Sequence, residues 1–145
     1  MAAGGCRVND AIFERLRGLL GDEGVERDPR GIPRAVPESD DALALVCQAA
    51  EGEGWRFRLE GRGSWLPPDA PADFALSTQG LNRVVRVSPP DLVATVQAGA
   101  TLEAVRAQLE PLGLWLAIDP PGRPDRTLGS IVATATAGPI RHGCG

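Results

Sequence analysis

Apolar residues recur at helical spacing in three stretches of the chain. In residues 8–20 the apolar positions are 8, 12, 13, 16, 19 and 20. Ser39 precedes a second stretch and Thr101 a third, and both have acidic residues in the first turn. A hydroxyl at the N-cap accepts a hydrogen bond from the helix, and nearby acidic residues complement the helix dipole. The pattern therefore predicts three amphipathic helices, each ended by glycine. The third is expected to present one apolar face, formed by Leu102, Val105, Leu109 and Leu112.

Short apolar runs between these helices are typical of strands. The predicted strands are 55–59, 74–76, 84–87, 92–98 and 115–118. Residues 22–35 are charged and rich in Gly and Pro, and predict a linker. Because helices and strands alternate without an internal repeat, the pattern indicates an α/β or α+β fold.

The segment EGRGSWLPPDA, residues 60–70, follows the first predicted strand and places a glycine on each side of Arg62. A strand leading into G-x-G invites a phosphate-binding interpretation. The dinucleotide fingerprint, however, needs a third glycine and an immediate helix. Here Leu66 holds the third glycine's position, and two prolines then oppose a helix. The segment is therefore either a simple turn or a phosphate loop of a different design.

Residues 127–138 contain no charge and mostly small side chains. One interpretation is a buried helix whose small residues allow close packing against a neighbour. The other is a wall against a flat ligand, with backbone amides and threonine hydroxyls facing it. Periodicity does not decide between them.

Composition excludes several classes of protein. The chain has 145 residues, of which 43% are hydrophobic and 23% charged, as in a globular protein. The chain contains no run of eighteen apolar residues, so no membrane span is predicted. The N-terminus lacks the apolar core of a secretory signal. The net charge of −4 offers no broad basic field for nucleic acid.

The three cysteines, Cys6, Cys47 and Cys144, are odd in number and far apart. With no C-x-x-C pair and His142 as the single histidine, we expect no zinc site. Reduced thiols in a cytoplasmic protein are the simplest interpretation. Cys47 lies among apolar residues and is expected in the core.

Several short motifs occur in a characteristic order along residues 34–145. They are Pro37-Glu38-Ser39, Gly61-Arg62-Gly63-Ser64, Leu76-Ser77-Thr78, Leu81-Asn82-Arg83-Val84, Val96-Gln97-Ala98-Gly99-Ala100-Thr101-Leu102, Asp119-Pro120-Pro121-Gly122, Thr127-Leu128-Gly129-Ser130, Ala133-Thr134, Gly138 and Arg141-His142-Gly143-Cys144-Gly145. Together they resemble the first part of a PCMH-type FAD-binding domain of the vanillyl-alcohol oxidase superfamily. The FAD-binding E subunit of glycolate oxidase is the most similar type.

This resemblance implies an α+β fold in which a small α/β subdomain precedes the start of a second subdomain. Residues 1–33 would form an N-terminal helix and linker, and residues 34–145 a partial, truncated domain. Further strands and the substrate region would follow, so no catalytic residue is identified. We expect residues 1–145 alone to bind FAD weakly or not at all, to be inactive, and to aggregate through uncovered strand edges.

The resemblance also assigns candidate cofactor contacts. In the loop, Gly61 and Gly63 would permit φ > 0 and close approach of backbone N–H groups to the FAD pyrophosphate. Ser64 would donate its hydroxyl, while Arg62 would either neutralise phosphate charge or simply be solvated. Further contacts to flavin and phosphates are expected from Pro121, Gly122, Thr127, Leu128, Gly129, Ser130, Ala133, Thr134 and Gly138.

Two positions depart from the family pattern, and one absence bears on how the cofactor is attached. The family often has glycine where Ser130 stands, and an aromatic residue near the position of Cys144. Residues 60–70 contain no histidine, the residue that often tethers flavin in this superfamily, so we expect FAD to be non-covalent.

The resemblance implies an FAD-dependent oxidoreductase acting on a small 2-hydroxy acid, with partner subunits of a glycolate-oxidase-like complex. Two alternatives stay open. One is a reductase of the same fold with a nicotinamide donor, like the enolpyruvyl-glucosamine reductases. The other is a truncated, non-catalytic FAD-binding or interaction module.

Overall fold

Secondary structure follows the chain in two successive units, Met1–Gly80 and Leu81–Gly145. The computed structural model describes residues 3–63, 71–140 and 143. None of the helices in that part of the chain is both long and apolar enough to cross a membrane.

The first unit combines two helices with a four-stranded sheet. Its elements are α1 (Ala3–Leu20), β1 (Val25–Arg27), β2 (Pro33–Ala35), α2 (Asp40–Glu53), β3 (Phe57–Glu60) and β4 (Phe74–Ser77). The strand order is β1-β2-β4-β3. Strands β2, β4 and β3 are parallel, and β1 adds an antiparallel edge. The carboxyl ends of β3 and β4 therefore meet at one edge of the sheet.

One face of this sheet packs against the helices. The buried residues of this core are Ile12, Leu16, Val25, Ala35, Val46, Ala50, Phe74 and Leu76. Fully burying one such large side chain contributes about 1.5–3 kcal/mol. Cys47, a free thiol, is partly buried and packs against this core, so its predicted place in the core is confirmed in part. Helix α1 shares the same core, so its amphipathic prediction is also confirmed.

The predicted linker over residues 22–35 is wrong, because that segment forms the β1–β2 hairpin. Asp28 closes the connection. Its backbone N–H donates to the Ile32 carbonyl (2.9 Å), and its Oδ1 accepts from the N–H groups of Arg30 and Ile32 (both 2.9 Å). Gly31 adopts φ +80°, which glycine tolerates without strain. Side-chain capping of the loop thus lets a Gly- and Pro-rich segment join the sheet.

The second unit begins with a β-hairpin and continues with helices. Its elements are β5 (Val84–Ser88), β6 (Val93–Val96), α3 (Leu102–Leu109) and α4 (Leu128–Ala133). Single 3₁₀ turns lie at Pro89–Asp91 and Glu110–Leu112. Buried Ala100, Val105 and Leu109 form its core, against which the hairpin packs Val84, Val87 and Val96.

The capped helices agree with the sequence. Ser39 Oγ accepts from the Ala42 N–H, and Thr101 Oγ1 from the Ala104 N–H, each at 3.1 Å. Leu112 is the exception: it lies past the end of α3 and is 49% exposed, so its predicted place on the apolar face is wrong.

The predicted strand 115–118 is absent. The Ile118 N–H donates to the Leu116 carbonyl (2.8 Å), which closes a three-residue turn within the run. Trp115 is 65% exposed. In the described part of the chain the run therefore has no strand partner, although Leu116 packs against the core of the second unit.

Candidate functional site

The glycine loop begins where β3 ends, at Glu60. Three donors hold the carbonyl oxygen of the next residue, Gly61. They are the Ser77 hydroxyl (2.9 Å), the Gln79 side-chain amide (3.3 Å) and the Arg34 guanidinium (3.4 Å). The start of the loop is thus fixed to the carboxyl end of the neighbouring strand β4.

The two loop glycines differ in backbone conformation. Gly63 has φ +69°, whereas Gly61 does not have positive φ, so the expectation of positive φ is confirmed only for Gly63. A Cβ on Gly63 would lie 3.5 Å from Glu60 Oε2, an ordinary contact. As far as the described residues are concerned, the need for glycine at this position therefore comes from the left-handed backbone and not from lack of space.

The loop exposes groups suited to an anion. Arg62 and Gly63 are exposed. Among the residues that the structure describes, none accepts a hydrogen bond from the N–H of either residue, and none forms an ion pair with Arg62. Backbone N–H groups and a guanidinium available to solvent fit the demands of a pyrophosphate. Ser64, the remaining predicted loop residue, lies outside the described residues.

A charged network that was not predicted from the sequence lies behind the loop. Glu60 Oε1 accepts from Arg34 Nε (2.8 Å) and Oε2 from Arg58 Nε (3.1 Å), and all three side chains are at most 15% exposed. Arg34 also pairs with Glu26. A buried carboxylate is costly unless paired, so two guanidiniums neutralise it. The alternation Arg58-Leu59-Glu60 was the available signal, since residues two apart share one face of a strand.

The network continues into a cleft of about 520 Å³ in the first unit. Five arginines and three acidic residues line this cleft. The arginines are Arg27, Arg30, Arg34, Arg58 and Arg62. One of the acidic residues is Asp28. Burial raises the pKa of Asp28, but hydrogen bonds from the Ile32 N–H and from Arg30 outweigh burial and hold that pKa below its usual value. The carboxylate is therefore kept ionised, in keeping with its role in closing the hairpin.

The second group of predicted residues lies in the second unit, around helix α4. Thr127 caps this helix, its Oγ1 accepting from the Ser130 N–H (3.4 Å), while the Ser130 hydroxyl donates to the Thr127 carbonyl (2.9 Å). Ile131 is buried, but Val132 is 76% exposed and Ala133 is exposed. The buried-helix interpretation of residues 127–138 thus holds for one face of a six-residue helix only.

Two glycines of this group have a packing role. A Cβ on Gly129 would lie 2.9 Å from the Ala98 carbonyl oxygen, and one on Gly138 would lie 2.0 Å from the Asp119 carbonyl oxygen. Gly138 also has φ +77°. These distances explain both glycines by close approach to backbone, independently of any cofactor.

Arg126 is a second residue whose place was not predicted from the sequence. It is 2% exposed. Its guanidinium donates to the Pro121 carbonyl (2.8 Å) and to the hydroxyls of Thr134 and Thr136 (both 3.1 Å). Burial lowers the pKa of Arg126. This side chain brings two predicted positions, Pro121 and Thr134, together around one cation.

Two other predicted positions lie in the same unit. Gly122 follows Pro121 with φ +104°, and Leu128 packs against the core of the second unit. His142 and Cys144 lie outside the described residues.

A protein-family model described as an FAD binding domain matches residues 34–145. The match covers both groups of predicted site residues. No curated protein matches the chain.

Solved structures share the fold at low sequence identity. The structure of an alkyldihydroxyacetonephosphate synthase matches with a TM-score of 0.76 and 18% identity, over 89% of this chain and 32% of that one. A 4-ethylphenol oxidase from Gulosibacter chungangensis matches with a TM-score of 0.69 and 16% identity, over 83% and 28%. Berberine bridge enzyme from Eschscholzia californica gives 0.51 and 18%, over 82% and 24%. The chain therefore has the PCMH-type FAD-binding fold and spans at most a third of the length of these structures.

Proposed function

Because the chain belongs to the family of FAD binding domains, its cofactor is FAD, and we propose that it forms the pyrophosphate-binding part of an oxidoreductase acting on a small 2-hydroxy acid. The observation that carries the proposed pyrophosphate site is the loop after β3. Its left-handed Gly63 and exposed Arg62 present N–H groups and a positive charge that no described residue uses.

The loop would hold the pyrophosphate without a helix N-terminus. Consecutive N–H groups in a turn that includes a left-handed residue form a concave anion site. Gly61 would contribute through its anchored carbonyl, which fixes the direction of the chain entering the turn. Arg62 would add a fixed charge and Ser64 a hydroxyl donor.

The second group of residues would line the rest of the cofactor. Side chains and backbone around the cap of α4 would supply one surface for it, formed by Pro121, Gly122, Leu128 and Ser130. Thr127, Gly129, Ala133, Thr134 and Gly138 complete the proposed set. The contacts of Gly129, Gly138 and Thr134 within the chain support a role for these residues in shaping this surface.

FAD, when bound, would supply the acceptor for a hydride leaving the α-carbon of the substrate. The part of this chain is to bind and orient. The 2-hydroxy-acid class and the partner subunits of a glycolate-oxidase-like complex rest on the order of motifs along residues 34–145. A cytoplasmic location rests on the three cysteines, which are most simply interpreted as reduced thiols. We also propose that FAD is held non-covalently, since residues 60–70 contain no histidine.

Anaerobic reduction of the flavin tests the substrate class. In the gene product that carries this chain, glycolate or lactate should bleach the flavin absorbance, whereas NADPH should not. Bleaching by NADPH alone would instead support a reductase of the same fold. Absence of bound flavin at saturating FAD would contradict both and leave a non-catalytic module.

A further inference from the structure

The face of the first sheet that turns away from its helices carries an ordered row of charges. The strand register places Glu26, Arg34 and Arg58 at the level of Ala75, and Glu60 at the level of Ser77. Phe74 and Leu76 belong to the core, so alternation puts Ala75 and Ser77 on this charged face. Ser77 is fully buried there.

This row ends at the glycine loop. The Arg34 guanidinium uses Nε for Glu60, one terminal nitrogen for Glu26, and the other for the Ser77 hydroxyl (3.2 Å). Ser77 in turn donates to the Gly61 carbonyl (2.9 Å). A connected path of hydrogen bonds therefore runs from the buried Glu60 carboxylate to the first loop residue.

We propose that Arg34, Glu60 and Ser77 are positioning residues for cofactor binding: they orient the loop so that Arg62 and Gly63 face the FAD pyrophosphate. This rests on the proposed function, since it names the residues that act through that loop. The planar fork of arginine fits three partners at fixed angles, which the single ammonium of lysine does not reproduce. Orientation by Arg34 is thus separable from its charge.

Charge and orientation give opposite expectations for one substitution. Glu60→Gln removes a negative charge close to the loop and on charge alone should tighten binding of an anionic cofactor. If Glu60 orients Arg34, the same variant weakens the hydrogen bonds that hold the Gly61 carbonyl and therefore weakens FAD binding. The direction of the change distinguishes the two roles.

The experiment measures FAD affinity by ³¹P line broadening, which detects even weak binding of the pyrophosphate, in the gene product that carries this chain. We expect Arg34→Lys and Glu60→Gln each to weaken FAD binding about tenfold, the scale of one hydrogen bond to a charged group. Arg30→Lys, which changes another arginine of the same cleft, should leave the affinity unchanged. Ser77→Ala tests the path without altering any charge and should weaken binding several-fold.

Riboflavin binding and thermal unfolding distinguish the positioning role from a purely structural one. Thermal unfolding identifies the variants that remain folded. Riboflavin lacks the pyrophosphate, so its binding should not differ among variants that remain folded. Unchanged FAD affinity in Arg34→Lys and Ser77→Ala, or tighter binding by Glu60→Gln, would overturn the positioning role. If Gly63→Val binds FAD as the native protein does, or if the gene product that carries this chain causes no broadening, the proposed function itself fails.

Discussion

Substituting Gly63 with valine tests whether the loop conformation is required for FAD binding. A residue with a Cβ costs about 1–2 kcal/mol in the left-handed region, and β-branched residues are the least tolerant. Gly63 has φ +69°, and the described residues add no further clash, since the nearest of their atoms beyond its chain neighbours lies 3.5 Å from the position of an added Cβ. The loop in Gly63→Val should therefore leave its binding conformation. At about 1.4 kcal/mol per factor of ten, FAD affinity should fall about tenfold or more.

The assay is FAD titration of the native chain and the variant, followed by ³¹P line broadening. Gly54 provides a matched control. It has φ +70°, with open space where a Cβ would lie, at the end of helix α2. Gly54→Val should therefore lose comparable conformational stability while keeping its FAD affinity.

The comparison separates a local effect from general destabilisation. Equal FAD affinity in Gly63→Val and the native chain would refute the assignment of this loop. An equal loss of affinity in Gly54→Val would show that both variants act through unfolding.

Other outcomes follow from the same contacts. Gly138→Ala places a Cβ within 2.0 Å of the Asp119 carbonyl oxygen, so we expect it to lower the thermal unfolding temperature, at a cost of several kcal/mol; an unchanged melting temperature would contradict the packing role. Gly129→Ala meets Ala98 at 2.9 Å and should cost about 1–3 kcal/mol in denaturant titrations. The lowered pKa of Asp28 means that its ionised form stabilises the fold above the unfolded value of 3.8, and this contribution is lost as the pH falls through the lower folded value; Asp28→Asn should lack that acid-dependent part. Acid precipitation of the FAD-loaded protein should release all yellow colour to the supernatant, and colour in the pellet would contradict non-covalent binding.

Local signals explain why the helices could be predicted. Ser39 and Thr101 cap their helices through contacts three residues away, and such contacts can be recognised in the sequence. Strands β1 and β2 have three residues each and pair with each other, and β2 also pairs with β4, which is distant in sequence. Nothing local distinguishes them from a linker, so they could not be predicted from the sequence. Conversely, 115–118 has a strand's composition but no strand partner among the residues that the structure describes.

The buried charges could not be predicted for a related reason. Charged side chains are expected at the surface, yet Arg126 is 2% exposed and Glu60 is 9% exposed. Their burial depends on partners distant in sequence: Arg34 reaches Glu60 across 26 positions. The glycine loop itself was recognisable from its residues, whereas the groups that hold it became visible only in three dimensions.

The most direct test of the central claim is amide chemical-shift mapping of the ¹⁵N-labelled chain. On addition of FAD, the Arg62 and Gly63 resonances should shift in a saturable manner. ADP, which shares the pyrophosphate, should shift them as well, and riboflavin, which lacks it, should not. Saturable FAD binding that leaves both resonances in place would contradict the assignment of this loop to the pyrophosphate.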